Sequence, residues 1–194
     1  MVARMKRSLV LSILCATACA SPAAHEQSPS NPSVAVTEHD AFWSSLQALC
    51  GRHFGGRMVE GTEPSDADMR DAKLVMHVAS CTASEVRIPF HVGADRSRTW
   101  VLTRREGGLR LKHDHRHEDG TEDAVSQYGG DTVAPGSAQR QEFPADAFTA
   151  ELLPRAATNV WAVEVNEAVF AYALTRASRR FRVEFDLTKP LAPR

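Results

Sequence analysis

The chain has 194 residues, 43% hydrophobic and 24% charged, with a formal net charge of −1. That length accommodates one domain of ordinary size with a core of its own. A nucleic-acid partner would favour a clustered basic face, and the composition shows none.

Arg4, Lys6 and Arg7 open the chain without an acidic residue, Ser8 to Ala18 form a short apolar run, and polar sequence begins at Ser21 and Pro22. This order is that of a secretory signal, which is assigned to residues 1–20. The run is too short to cross a hydrocarbon core of roughly 30 Å, which takes about 20 helical residues. Ala16-Thr17-Ala18-Cys19 resembles the lipobox of bacterial lipoproteins. The resemblance implies a lipid on Cys19, and Ala20 after it resembles an outer-membrane address in the periplasm. Ala16 stands where that motif usually carries Leu, so ordinary cleavage after Ala18-Cys19-Ala20 is the alternative. Loss of the signal takes the basic residues from 23 to 20 against 24 acidic ones, a net charge of about −4. Residues 21–38, rich in Ser, Pro, Ala and Asn, read as a flexible tether because they cannot bury enough surface to offset their ordering. Residues 39–190 are expected to form a single β-rich domain. Cys50 and Cys81 are the even pair left to it, and in an exported chain they predict a disulfide. Closing a loop of about 30 residues is worth roughly 3 kcal/mol.

Asp40 is a good N-cap for a short amphipathic helix whose stripe carries Phe42, Trp43, Leu46, Leu49 and Cys50, with a stop at Gly51. After it the period becomes two. Val86, Ile88, Phe90 and Val92 share one strand face, as do Phe181, Val183, Phe185 and Leu187. Lys73 to Ala79, Thr99 to Arg104, Leu109 to His117, Val160 to Val165 and Val169 to Leu174 are further strands. Tyr128-Gly129-Gly130 through Pro135-Gly136 has loop chemistry, and Asp146 to Leu153 predicts one or two helical turns. Regular strands at this spacing predict a mainly β fold, an antiparallel meander closed as a small barrel or folded as a sandwich, with one N-terminal amphipathic helix.

One helix followed by a meander of seven or more strands resembles the calycin group, the lipocalin-like barrels, which implies an enclosed small ligand. The segment Arg87 to Trp100 and the run His113 to Asp123 are similar to an uncharacterised family of proteobacterial secreted proteins, which brings no activity with it.

The chemically richest stretch is Leu109 to Gly120. Read as a strand, it sets Leu109, Leu111, His113, His115 and His117 on one face and Arg110, Lys112, Asp114, Arg116 and Glu118 on the other. The charged face is expected to be wet and the histidines to point inward. Imidazoles are common zinc and copper ligands. Three collinear ones span about 13 Å, too far to share one ion, so a site needs two of them with His77, Asp119 or Glu122. The plainer expectation is partly hydrated polar lining. No G-x-S-x-G, H-E-x-x-H, G-x-x-x-x-G-K-[ST] or G-x-G-x-x-G occurs, so no motif names a reaction. Three functions survive: a binding module for a small apolar or amphipathic ligand, an inhibitor or interaction lipoprotein acting on another envelope protein, and a metal protein or enzyme using the ladder.

Overall fold

The computed structural model describes residues 36–192. The signal, Cys19 and most of the tether lie outside the described residues. Helix α1 (Glu38–Gln47) begins two residues before the expected cap. Thr37 is the N-cap, and its hydroxyl accepts the Asp40 amide at 3.1 Å while the Asp40 carboxylate accepts the Thr37 amide at 3.2 Å. Asp40 is therefore the return arm of a capping box rather than the cap itself. Hydrogen bonds from Thr37 and Arg104 hold its carboxyl at about 2. The stripe is as read: Phe42, Trp43 and Leu46 are buried.

The strands are β1 (His53–Gly61), β2 (Leu74–His77), β3 (Ser80–Cys81), β4 (Glu85–Val92), β5 (Asp95–Arg105) and β6 (Gly108–His115), then β7 (Tyr128–Asp131), β8 (Arg140–Pro144), β9 (Val160–Val165), β10 (Val169–Arg176) and β11 (Arg179–Leu191). Their order in the sheet is β7-β6-β5-β4-β2-β1-β11-β10-β9-β8, with β3 set beside β4. Each ladder is antiparallel, and β1 against β11 joins the two ends of the domain. The fold is thus mainly β, a meander whose ten main strands nearly close into a barrel.

Closure is made at an irregular seam between β7 and β8. The Asp146 amide donates to Gly129 O at 2.9 Å. The Thr149 hydroxyl, on α3 (Ala147–Leu152), donates to the same oxygen at 2.8 Å and accepts the Gly129 amide at 2.7 Å. Two glycines permit close backbone approaches here, Gly130 at the seam and Gly129 against β6. A Cβ on Gly129 would lie 1.9 Å from Leu111 O, and one on Gly130 would lie 1.8 Å from Pro144 O. The stretch that reads as loop from composition is here an edge strand, and its glycines answer to crowding rather than to a turn.

Inside the barrel the alternation holds. Val86, Ile88 and Phe90 on β4 and Phe181, Val183, Phe185 and Leu187 on β11 are buried, with Trp43, Trp100 and Trp161 in the same apolar cluster. Helix α1 lies across one end of the barrel, where β5 and β9 finish and β4 begins. Its Asp40 pairs with Arg104, and its Gln47 donates to Thr82 O at 2.8 Å. The Cys50–Cys81 disulfide is formed, with Cα atoms 6.1 Å apart and a sequence separation of 31. It pins the chain just after α1 to β3. Reduction, or the pair Cys50→Ser with Cys81→Ser, is expected to lower the unfolding free energy by roughly 3 kcal/mol in urea titrations. An unchanged midpoint would show that the bond adds nothing to the folded protein.

Candidate functional site

The end of the barrel opposite α1 carries the histidines. His113 is 3% exposed, its ring inside the barrel in phase with Leu109 and Leu111. Its Nδ1 lies 2.9 Å from Tyr128 O, and a carbonyl only accepts, so Nδ1 carries the proton. Nε2 is then the acceptor, and the Tyr172 hydroxyl donates to it at 2.7 Å. Burial pushes the His113 pKa down to about 3, so the ring is neutral in this fixed tautomer. His115, the last residue of β6, lies half-buried above it with Nε2 3.0 Å from the Tyr128 hydroxyl. Burial and then the charge of Arg98 push its pKa down as well.

The rings form a chain across the interior. Tyr128 stacks on His113 at 4.4 Å and 10°, Tyr172 on Trp100 at 4.5 Å and 18°, and Trp100 on Phe90 at 4.7 Å and 15°. Offset stacks of this kind add about 0.5–1.5 kcal/mol each beyond their burial. Burial pushes Tyr128 up to about 12 and Tyr172 well above its usual value, so both phenols keep their protons. Above the chain is a cavity of about 140 Å³, bordered by these rings together with Leu174, Phe181 and Met69. Arg98 and Arg179 stand at its rim.

A strap covers that rim. Between β1 and β2 the chain makes a 3-10 turn (Pro64–Asp66) and the short helix α2 (Ala67–Arg70). Asp66 is buried and pairs with Arg179 at 2.5 Å, while Glu63 takes both Arg176 and Arg179. Met69 packs against the core from this strap. Three carboxylates, counting Asp95 against Arg98, thus balance the three arginines at this end. Neither His113, held neutral, nor the phenols offers a group poised near neutral pH for proton transfer.

The other expected site residues are placed elsewhere. His117, Asp119 and Glu122 sit on the exposed turn after β6, where Asp119 accepts from Thr121 and Glu122 from Gln127. The strand stops at His115 because the backbone folds back on itself, with the His117 amide donating to Thr121 O at 2.9 Å. His77 is on the outer wall of β2, stacked on His53 at 3.6 Å. The inward ladder is therefore two histidines long, and it does not gather His77, Asp119 or Glu122. Among the described residues no three His, Cys, Asp or Glu side chains are grouped to hold a metal.

The opposite face of β6 needs a correction too. Asp114 is 4% exposed rather than wet. Arg87 reaches across β5 to pair with it, and Arg116 Nε donates to it at 2.8 Å. The same Arg87 flanks Val101 on one side and Lys112 on the other in the strand register, and Val101 is buried beneath their stems. Sequence reading missed Tyr128, Arg98, Arg179 and Met69 as lining. Tyr172 was within reach, since Phe170, Tyr172 and Leu174 share one phase of β10.

No family model, no curated protein and no solved structure matches the chain.

Proposed function

We propose that the chain is an exported binding module, carried on a lipid at Cys19, that takes a small amphipathic ligand into the end of its barrel opposite α1. The observation that carries this reading is the cavity beside His115, aromatic at its floor and polar at its rim. Its size narrows the ligand. At about 140 Å³ it is close to the roughly 150 Å³ void that admits benzene, and under half of the smallest usual ligand pockets at about 300 Å³. A single ring fits, and a long acyl chain does not. The balanced charge of the rim favours a neutral ligand, because an added buried ion without a partner costs several kcal/mol.

Thermal unfolding in the presence of benzyl alcohol, p-cresol or palmitate tests this reading. Single-ring compounds are expected to raise Tm with Kd of about 0.1–1 mM, within the ligand efficiency of so few atoms. Palmitate is expected to leave Tm unchanged. Leu174→Trp, which fills the cavity from β10, is expected to abolish the ring-compound shift while the fold is retained. Tighter binding of palmitate, or a shift that survives Leu174→Trp, would overturn the reading.

A further inference from the structure

On the outside of the barrel two imidazoles face each other across neighbouring strands. His53 opens β1, His77 closes β2, and the register pairs them directly. Their ring centroids are 3.6 Å apart and the planes are inclined by 14°. Both stand on the outer wall, because Phe54 and Met76 beside them are the residues buried inside. The Nδ1 of His53 is closed off from solvent and has no hydrogen-bond partner. A buried nitrogen left in that state costs about 1–3 kcal/mol, so the pair is an incomplete arrangement as a purely structural one. His53 also borders a groove of about 250 Å³ that His91 and Leu191 line further along.

We propose that His53 and His77 form a binding site for a divalent transition-metal ion, copper(II) ahead of zinc(II). Two imidazole nitrogens on one ion, each about 2.0–2.1 Å from it, lie about 3 Å apart, close to the separation of the two rings. The stacked rings must turn for their lone pairs to converge. That turn is about the terminal side-chain torsion of histidine, which is broad and inexpensive.

Two protein ligands leave the remaining positions to water. The site is then an open, exchangeable one, and its order of preference follows the general affinity order of nitrogen sites, in which copper(II) exceeds zinc(II). His113 does not compete, because both of its ring nitrogens are already hydrogen-bonded.

Calorimetric titration of the purified, disulfide-intact protein with copper(II), and separately with zinc(II), tests the site. One ion per chain is expected, with copper bound at least tenfold more tightly than zinc. His53→Ala and His77→Ala are each expected to weaken copper binding at least tenfold, and His77→Gln to do the same while keeping a polar side chain on the strand. His117→Ala, on the exposed turn, is expected to change nothing. The copper(II) EPR spectrum is expected to show two equivalent nitrogens. Affinity unchanged in both alanine variants, or a spectrum with one protein nitrogen, would overturn the site. Circular dichroism of each variant separates lost ligation from lost fold.

Discussion

Taking the protein from pH 7 to pH 4 is expected to remove roughly 3 kcal/mol of stability through His113 alone. The ring is neutral in the fold, with its pKa lowered from 6.5 to about 3 chiefly by burial. The unfolded chain takes up that proton below about 6.5, and the folded barrel does not. The contribution is therefore complete above about pH 6.5 and is lost as the pH falls towards 3, at about 1.36 kcal/mol per pH unit. His115 and His77, also lowered, act in the same direction. Asp131 and Glu164 are lowered as well, by Arg110 and Arg182 respectively. Their contribution begins to disappear below about pH 5, as the unfolded carboxyls start to take up protons, so the window from 6.5 to 5 isolates the histidines. His113→Gln keeps an acceptor for the Tyr172 hydroxyl and removes the ionisation. Urea midpoints at pH 7 and pH 5 are expected to converge in this variant, from a lower starting stability. A slope as steep as that of the parent would show that His113 is not a buried neutral ring.

Trp100→Ala is expected to cost about 3–5 kcal/mol, the range for truncating a buried aromatic. Trp100 is 3% exposed, stacked between Phe90 and Tyr172 and set edge-on to Phe185 at 6.1 Å. Its loss opens a void continuous with the floor of the cavity, and the rings on either side lose their shared neighbour. Trp100→Phe, which keeps the stack in part, is expected to cost about 1–2 kcal/mol. Equilibrium denaturation measures both. A loss under 1 kcal/mol for Trp100→Ala would mean that the aromatic chain is not what organises this end of the barrel.

The parts of the fold that were readable are those where one face is buried and the alternation is regular. Val86 to Val92 and Phe181 to Leu187 alternate without interruption, and each is a strand with the expected face inside. The helix was readable from its stripe, although its start was displaced by a capping box in which Asp40 has the second role. What escaped were strands in which glycine replaces the alternating residue. In β1, a Cβ on Gly56 would meet the Phe185 ring at 2.5 Å, and register shifts on either side bend the strand along β11. In β7, Gly130 is demanded by the barrel seam and Gly129 by the close approach of the β6 backbone, contacts between chain segments that no local pattern encodes. The site was legible by half. The phase of Leu109 and Leu111 placed His113 and His115 inward, but the chain leaves the strand before His117. Asp114 was misjudged because its partner Arg87 comes from two strands away, and pairing across a strand is invisible in sequence.

The most direct test of ligand binding in the barrel is heteronuclear NMR of protein labelled at histidine and tyrosine, titrated with benzyl alcohol. Saturable shifts are predicted at His115, Tyr128 and Tyr172, with His53 and His77 on the outer wall unmoved, and the response is predicted to vanish in Leu174→Trp. Shifts confined to the outer wall, or unchanged in Leu174→Trp, would contradict the assignment of the cavity as the binding site.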